Sequence, residues 1–411
     1  MKSDVLIMGG GASGLMCAIA AKMSKPTDKV VILEKNERIG KKLLATGNGR
    51  CNLGNSNAKP ENYHSVAGSA SSFVKTALTK YSPADNEAFF HKLGLLVKTD
   101  EAGRQYPYTN QAASVLDILR LRADSLGVIV RTSTRVCRIK NRSPFTVLTD
   151  SESFTAQKLV LATGGIASPQ ISNAEGVADW MRNIGHNSSP LFPALTQIKT
   201  AGNLPKAMKG IRIPCAITLF TAGKAVQKEA GELLFADYGV SGIPAFQLSR
   251  QVSENFSHQE PQNQFLEIDT LPMLTVAEIA DLLRERCQTI DTPLESFLTG
   301  IINKKLGLQV LKICGLSPLS RSCKQLTAEE IQKTAQTLKQ LRLKVTGTTG
   351  WKNAQVTAGG LLTADFNPNT MESRIIPNLY AVGEALDIDG DCGGYNLTWC
   401  WSSARLAAEN L

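Results

Sequence analysis

The sequence has few of the features that mark a metalloprotein, a disulfide-rich domain or a membrane protein. Its nine cysteines are scattered and none forms a C-x-x-C pair, so neither a zinc site nor a disulfide framework is predicted. The four histidines show no metal-ligand spacing, and no metal is expected. No apolar run approaches the roughly 18 residues of a membrane helix, which predicts no membrane contact. Because an apolar strand begins already at Asp4, a signal peptide does not fit, and we expect a cytoplasmic protein.

The positive charge of this chain is unevenly distributed along the sequence. The 411 residues carry a net charge of +9, and residues 300–345 contain nine Lys or Arg against two acids, a local excess of +7. A solvated helical face explains this excess, and so does attraction of an anionic ligand or a polyanion. No aromatic residues are interleaved with these basic ones, so a nucleic-acid partner is not favoured.

The most informative segment is 4–34, which combines two strands, a glycine-rich turn and a helix. An apolar run leads into Gly-Gly-Gly-Ala-Ser-Gly at 9–14, a G-x-G-x-x-G pattern that small apolar residues follow. A second apolar run, 29–33, ends at Glu34, near the spacing of about 20 residues expected for an acid that binds ribose. This order of elements predicts binding of an ADP moiety.

Each glycine of the pattern has a mechanical reason. Gly9 makes the tight turn, Gly11 lets the backbone approach a pyrophosphate, and Gly14 lets the helix touch the strand. The free N–H groups at the start of the helix then face the phosphates.

The two ends of the chain predict one discontinuous α/β domain. Strands and helices alternate in the N-terminal third, and a buried-type strand at 379–382 precedes a helix that runs from about Asn396 to the C terminus. We therefore predict a Rossmann-like α/β domain over 1–190 and 350–411.

The middle of the chain has a different character. Apolar residues alternate over 211–219, where Pro214 favours an edge strand, and this predicts an inserted antiparallel β domain over 191–271. A small helical subdomain is predicted over 272–349 from three capping-box patterns, at Thr275/Glu278, Thr292/Glu295 and Thr327/Glu330.

Further glycine-rich stretches occur at 40–52, 357–360 and 383–396, where a large cofactor would need close backbone approach. A strand that ends at Glu384 suits FAD, because the carboxylate can accept hydrogen bonds from ribityl or ribose hydroxyls. A helix that begins near Asn396 can point N–H groups at the flavin pyrimidine.

Longer runs carry a family resemblance over nearly the whole chain. They are GKKLLATGNGRCN at 40–52, GRQYP at 103–107, ATGG at 162–165, LFPAL at 191–195, YGVSG at 238–242, and VTAGG, TMESR, LYAVGEALDIDG and GGYNLTWCWSS between 356 and 403. On these runs the chain resembles the bacterial BaiN-like, or aminoacetone oxidase-like, FAD-dependent oxidoreductases. It departs from their pattern after ATGG, where residues 171–176 replace a Gly/Ser-rich turn, so this loop assigns no substrate.

The resemblance implies FAD bound by the α/β domain. The fingerprint glycines and Glu34 hold the ADP half, and the 42–52 run follows the pyrophosphate and flavin. The predicted cofactor-binding residues are Gly9, Gly11, Ala12, Ser13, Gly14, Glu34, Lys35, Lys42, Thr46, Gly47, Asn48, Gly49, Arg50, Cys51, Asn52, Val136, Thr163, Gly164, Gly359, Gly360, Gly383, Glu384, Asp387, Gly394, Asn396 and Leu397.

The sequence establishes no catalytic side chain, because in flavoenzymes hydride transfer takes place at flavin N5. The candidates are Cys51 and Tyr395. For Cys51, no second cysteine stands nearby to form a redox pair, which favours simple filling of a tight turn; contact of the thiol with the flavin stays the alternative.

The resemblance implies an oxidoreductase that acts on a small or medium organic molecule. One chemistry is reduction of an activated C=C bond, as in an enone, with NADPH or NADH as a transient reductant. The other is oxidation of an amine or aminoketone by O₂. A tRNA-modifying flavoprotein and a flavin redox sensor are the remaining alternatives. The oligomeric state is not indicated.

Overall fold

The computed structural model describes, within the 411-residue chain, residues 1–140, 144–172 and 185–411. The chain divides into two compact units, Met1–Pro193 with Ala354–Leu411 and, inserted between them, Ala194–Asn353. In the segment 171–176, where the sequence departs from the family pattern, residues 173–176 lie outside the described ranges. In the described ranges, none of the helices has the length and apolar character needed to cross a membrane.

The first unit is built on a seven-stranded sheet with a parallel centre. Lys2–Met8 lies between Val30–Leu33 and Ser153–Leu161, and the three strands are parallel. Ile129–Arg131 extends the sheet on one side, and Leu379–Ala381 pairs with the second half of Ser153–Leu161, both in parallel. Strands covered on both faces are expected to be continuous apolar runs, and all of Val30–Leu33 is buried.

The register aligns the carboxyl ends of these strands at one edge of the sheet. Met8 lies opposite both Leu33 and Leu161, and Leu161 lies opposite Ala381. Ligands of open α/β sheets bind outside the carboxyl ends of the strands. The predicted discontinuous domain therefore has its binding edge formed by both ends of the chain.

The other half of the sheet is antiparallel, because Ser153–Leu161 also pairs with Phe145–Thr149, which pairs in turn with Val136–Lys140. Among its described residues, the first unit has helices at Ala12–Ser24, Lys41–Ala45, Ala70–Lys80, Pro83–Lys92, Ala112–Ser125, Pro169–Ser172 and Tyr395–Glu409, with 3₁₀ turns at Thr46–Gly49, Pro60–Asn62, Thr363–Asp365 and Gly383–Ala385. Short strands elsewhere in the chain are Gly54–Asn55, Tyr63–His64, Val97–Thr99, Arg104–Pro107, Phe192–Ala194, Val356–Ala358 and Asp389–Gly390.

A closed antiparallel barrel forms the centre of the second unit. In order around the barrel, its strands are Ile198–Thr200, Gly239–Ser241, Lys224–Ala236, Arg212–Thr221, Gln264–Asp269 and Leu341–Thr348. The strand Arg212–Thr221, which contains Pro214, was predicted to be an edge strand, but in the closed barrel it has a neighbouring strand on each side. Pairing with Gln264–Asp269 begins only at Ala216, so on that side of the strand the missing N–H of Pro214 costs no ladder bond.

Helices complete the second unit, at Leu204–Ala207, Ile243–Ser257, Val276–Thr289, Leu294–Phe297, Lys304–Ile313 and Ala328–Lys339, with a 3₁₀ turn at Cys323–Gln325. The predicted capping boxes at Thr275/Glu278 and Thr327/Glu330 are present. The predicted box at Thr292/Glu295 is wrong. That short helix begins after Pro293, and the N–H groups of Leu294 and Glu295 donate to the carbonyls of Arg321 and Leu319 instead.

The second unit is one body, where the sequence predicted two. Leu341–Thr348, inside the predicted helical subdomain, closes the barrel. Buried helix residues such as Leu283 and Leu338 share a single hydrophobic core with barrel residues such as Leu343. The boundary predicted between residues 271 and 272 is therefore not a boundary in the structure.

Candidate functional site

A cavity of about 590 Å³ lies in the first unit at the carboxyl edge of the parallel sheet. Its wall includes Met8 and Leu33 at the ends of two strands and Ala162 just beyond a third. The predicted cofactor-binding residues that line it are Gly9, Gly11, Ala12, Ser13, Glu34, Lys35, Lys42, Thr46, Val136, Thr163, Gly164, Glu384, Asn396 and Leu397.

The glycines of the first turn are required by close backbone approach. Gly9 has a φ of +110°, and a Cβ there would collide with the carbonyl of Ala162. A Cβ on Gly14 would collide with the carbonyl oxygen of Gly9, whereas a Cβ on Gly11 would meet nothing within 4 Å. The helix Ala12–Ser24 has no side-chain cap, so its first N–H groups stay available to a ligand at the cavity wall.

Glu34 is held in place at the end of its strand. One carboxylate oxygen accepts a hydrogen bond from the N–H of Gly10 at 2.9 Å, and the other accepts from the N–H and side-chain amide of Asn36 at 2.9 and 2.7 Å. A carboxylate has about four lone-pair sites, so capacity remains for a hydroxyl of a ligand. This geometry suits the predicted contact with a ribose.

A second carboxylate in the cavity wall, that of Glu384, connects a C-terminal segment of the chain to an N-terminal one. Glu384 pairs with Lys42 at 2.9 Å and accepts hydrogen bonds from the N–H groups of Gly165 at 3.1 Å and Thr357 at 2.7 Å. The Lys42 and Glu384 side chains are 30% and 17% exposed, so the pair is only partly open to solvent. Three separate segments, at residues 42, 165 and 357, therefore position the Glu384 carboxylate.

The cavity wall has an excess of positive charge. Four basic side chains and two carboxylates line it: Lys35, Lys41, Lys42, Arg135, Glu34 and Glu384. Burial lowers the pKa of Lys35, and the neighbouring Glu34 carboxylate opposes this change. The excess of two positive charges matches the two charges of a pyrophosphate.

One buried polar atom in the wall has no hydrogen-bond partner within the described residues, the hydroxyl oxygen of Thr163. An unsatisfied buried group costs about 1–3 kcal/mol, so a ligand that bonds it gains affinity. The space, the open Gly11, the positive charge and this hydroxyl together fit a dinucleotide cofactor such as FAD.

The C-terminal helix Tyr395–Glu409 also begins at the cavity, where Asn396 and Leu397 line it. The Asn396 side chain accepts from the N–H of Gly390 and donates to its carbonyl, both at 2.8 Å, which secures the preceding loop. Gly394 has a φ of +103°, and a Cβ there would collide with the carbonyl of Gly54. Gly394 therefore sets the approach of this loop and does not itself line the cavity.

Several other predicted residues lie outside the cavity wall. The turn after Thr46 leads away from it and has positive φ at Gly47, Asn48, Gly49 and Cys51. The predicted residues that do not line the cavity are Gly14, Gly47, Asn48, Gly49, Arg50, Cys51, Asn52, Gly359, Gly360, Gly383, Asp387 and Gly394.

Backbone packing explains most of the glycines in this group. Gly359 approaches the carbonyl of Pro190, and Gly360 approaches Leu386, each too closely for a Cβ. Gly383 donates its N–H to the Ser403 hydroxyl at 3.0 Å and accepts from the Trp399 indole at 3.1 Å. These glycines position the cavity wall and do not form it.

Asp387 lies in a second cavity of about 350 Å³ beside the start of Ala70–Lys80. Its buried carboxylate accepts from the Ser65 hydroxyl at 2.8 Å and from the N–H groups of Val66 and Ala67 at 2.9 and 3.0 Å. Asp387 is not in the wall of the first cavity, and its predicted contact with the cofactor stays a prediction.

The two catalytic candidates are poorly suited to ionise at neutral pH. Cys51 is fully buried, and burial raises the pKa of its thiol to about 12, against an opposing hydrogen bond from Thr46. Burial also raises the pKa of Tyr395, and Asp391 adds to this. Thiolate chemistry at Cys51 is therefore not supported, and Tyr395 is held protonated.

Sequence reasoning missed part of the wall. The unpredicted lining residues include Lys41, Thr134, Arg135, Cys137, Gln355, Val356, Trp399 and Cys400. Thr134 to Cys137 follow Ile129–Arg131, which pairs in parallel with Val30–Leu33. That pairing was the available signal, because the segment after a neighbouring parallel strand reaches the same edge.

Comparisons with known proteins agree with this geometry. A model of the HI0933-like protein Rossmann domain matches residues 3–410. The chain is 36% identical over 408 residues to a Clostridium scindens protein named 3-dehydro-bile acid delta(4,6)-reductase, covering 98% of this chain and 97% of that protein. It is 29% identical over 413 residues to an Escherichia coli protein named ribosomal RNA dihydrouridine synthase, covering 99% and 98%.

Among solved structures, a quinol-fumarate reductase has a similar fold, with a TM-score of 0.50 at 14% identity, covering 100% of this chain and 70% of that one. The predicted Rossmann-type class and the predicted assignment to the BaiN-like FAD-dependent oxidoreductases are confirmed by the family match and the Clostridium scindens relative. The chain belongs to the family of HI0933-like proteins with a Rossmann domain.

Proposed function

We propose that this protein binds FAD in the cavity of the first unit and reduces a C=C bond conjugated to a carbonyl group. The observation that supports it best is this dinucleotide-type cavity in a chain that is similar over 98% of its length to a protein named as a delta(4,6)-reductase of a 3-dehydro bile acid. A small or medium organic enone is the corresponding substrate class.

Each part of the wall has a role in this proposal. The turn at Gly9–Gly14 and the helix start that follows it bind the pyrophosphate, and Glu34 binds the adenosine ribose. Lys42, Glu384 and the free Thr163 hydroxyl face the ribityl and phosphate region. When bound, FAD supplies the hydride chemistry; the reaction adds a hydride to the carbon β to the carbonyl and a proton to the α carbon.

NADPH or NADH is the proposed source of the hydride. The sequence contains a single dinucleotide fingerprint, so the nicotinamide cofactor is expected to visit transiently. The test is anaerobic addition of NADPH, then NADH, to the purified yellow protein while the flavin absorbance is recorded. Rapid bleaching that saturates with NAD(P)H concentration, followed by reoxidation with a Δ4-3-oxosteroid, is the expected result.

Other outcomes of the same experiment assign a different chemistry. A flavin that stays oxidised with both nicotinamides but is reduced by an amine or aminoketone, with turnover in O₂, would establish the oxidase alternative. A protein that cannot be reconstituted with FAD would contradict the whole proposal.

A second candidate substrate is a uracil base in RNA, whose C5=C6 bond is also conjugated to a carbonyl. It is favoured by the similarity of the whole chain to a protein named ribosomal RNA dihydrouridine synthase and by the net charge of +9. The test is incubation of the reduced protein with uridine-containing RNA and mass analysis of the nucleosides. Dihydrouridine formation supports it, and unchanged uridine with active enone turnover excludes it.

A further inference from the structure

Two cysteines that are distant in sequence lie side by side in the core of the second unit. Cys287 belongs to the last turn of the helix Val276–Thr289, and Cys323 begins the 3₁₀ turn Cys323–Gln325. Both are free thiols and belong to the same hydrophobic core. Burial raises the pKa of Cys287 to about 11, and the Cys323 thiol, which hydrogen-bonds with the Cys287 side chain, adds to this rise.

Hydrogen bonds fix Cys323 beside the end of that helix. Its N–H donates to the carbonyl of Thr292 at 2.9 Å, and its thiol donates to the carbonyl of Ile290 at 3.1 Å. Ile290 directly follows the last residue of the helix. The Ser322 hydroxyl donates to the Asp291 carboxylate at 2.6 Å and ties the same two segments together. The fold therefore holds the two thiols next to each other.

The two thiols differ in exposure to solvent. Cys287 is 9% exposed, whereas Cys323 is fully buried. A small oxidant can therefore reach the first thiol, and the second is placed to react with it from within the core. Two inert cysteines that only fill space are the alternative. The two interpretations differ in whether a disulfide forms in the folded protein.

We propose that Cys287 and Cys323 form a reversible dithiol–disulfide site that a peroxide oxidises. The Cys287 thiolate attacks one oxygen of hydrogen peroxide, so that an S–O bond forms, the O–O bond breaks, and hydroxide leaves as water with the thiol proton. The Cys323 sulfur then attacks the Cys287 sulfur, an S–S bond forms, the S–O bond breaks, and a second water leaves with the Cys323 proton. The peroxide accepts the two electrons that the thiols lose.

The raised pKa of Cys287 makes this oxidation slow. The thiolate is the attacking species and is scarce at neutral pH, so we expect the disulfide to form over minutes to hours. The product links the end of the helix Val276–Thr289 to the turn Cys323–Gln325, and a thiol reductant restores both cysteines. The site is independent of the proposed enone reduction, because neither cysteine lines the cavity of the first unit.

The test is oxidation of the purified, folded full chain with hydrogen peroxide. The reduced protein is treated with peroxide, quenched with catalase and alkylated with N-ethylmaleimide in denaturant, and the chain and its peptides are analysed by mass spectrometry. We expect a cross-linked peptide that joins Cys287 to Cys323, the loss of these two thiols, and their recovery with dithiothreitol.

Cys323→Ser is the sharpest variant, because it leaves the attacking thiol without its partner. Oxidation of Cys287 should then stop at the sulfenic acid, which dimedone labels, whereas the native chain should not accumulate this label. Cys287→Ser should leave Cys323 reduced. The matched control is Cys215→Ser, another buried cysteine of the same unit, which should form the disulfide like the native chain.

Far-UV circular dichroism verifies that each variant is folded. A native chain that keeps both thiols while the exposed Cys137 is oxidised overturns the proposal. A cross-link that forms only in urea, or that joins other cysteines, also overturns it, because the folded geometry is then not its cause. Dimedone labelling of Cys287 in the native chain without the disulfide has the same consequence, since Cys323 is then not placed to react.

Discussion

The two units differ in how far apart in the sequence their neighbouring residues lie. In the first unit the cavity follows a contiguous run, from the strand Lys2–Met8 through the glycine turn to Glu34, and distant segments close around it. In the second unit, neighbouring residues such as Phe220 and Phe265 come from different strands of a closed barrel that are far apart in the chain. A site that uses backbone N–H groups leaves a glycine pattern in the sequence, whereas a site made of side chains on one sheet face does not.

The strongest expected effect is at the glycine turn. Gly14→Val places side-chain atoms against the carbonyl of Gly9, so the helix can no longer approach the strand, and we expect a protein without bound flavin. The measurement is the flavin-to-protein absorbance ratio after purification with added FAD.

Gly11→Ala is the control that separates FAD binding from folding of the turn. No protein atom lies within 4 Å of a Cβ there, so we expect unchanged thermal stability of the apoprotein with weaker FAD binding. Full FAD binding in Gly14→Val would contradict the role of the turn.

A core truncation in each unit sharpens the comparison between them. Phe297→Ala in the second core and Leu15→Ala in the first remove fully buried side chains. We expect losses of about 3–5 and 2–5 kcal/mol in the free energy of unfolding, respectively. Only Leu15→Ala should also weaken FAD binding, because its helix begins at the cavity. Denaturant titration and FAD titration measure the two quantities, and equal loss of FAD affinity in both variants would contradict the separation.

The Lys42–Glu384 pair tests the contribution of the distant segments to the first site. Lys42→Met removes the charge-assisted bond to Glu384 and one cation of the cavity wall, which we propose to face the phosphates of FAD. A hydrogen bond to a charged group contributes about 1.5–3 kcal/mol, so the loss of one such bond from Lys42 to a phosphate is expected to lower FAD affinity about 10- to 100-fold. Isothermal titration of the apoprotein measures it. Lys92→Met, an exposed lysine on another helix of the same unit, is the control and should bind normally.

The smallest expected effects are at the helix caps, one in each unit. At the start of Pro83–Lys92, the hydrogen bond from the Ser82 hydroxyl lowers the pKa of Asp85. The native pKa lies below that of the unfolded chain, so the stabilisation is present above about pH 4 and is lost as the pH falls through the native pKa.

Asp85→Asn should therefore destabilise the protein near neutral pH by at most about 1 kcal/mol and become equal to the native chain in acid. Unfolding titrations at several pH values measure the difference. The same behaviour at the Thr327/Glu330 cap is tested with Glu330→Gln, whose carboxylate pKa is also lowered. A difference that grows in acid would contradict the sign.

Much of the first unit was predictable because its signals are local. The parallel strands, the turn and Glu34 are recognised from apolar runs and spacing, and these residues lie in the wall of the cavity. Asp387 shows the limit. It occurs in the same C-terminal run as Glu384, but its carboxylate holds the 65–67 turn in another cavity. Proximity in sequence does not decide which side of a loop a side chain faces.

In the second unit, the period of two identified the strand Arg212–Thr221, and two of three capping boxes are present. The single core and the closing strand Leu341–Thr348 were not recognised, because barrel closure depends on pairing between strands far apart in the chain. The third box failed because backbone carbonyls from a distant segment satisfy the N–H groups of that helix.

The sequence by itself determined the class of the fold, the position of the nucleotide turn and the family, because each depends on short runs with fixed spacing. Only the tertiary structure decided which glycines line the cavity and which hold backbone to backbone, and that Lys42 meets Glu384. It also brought Phe220, Phe265 and Lys344 to one face. The physical reason is that strand register and loop packing are set by long-range contacts, which no local pattern encodes.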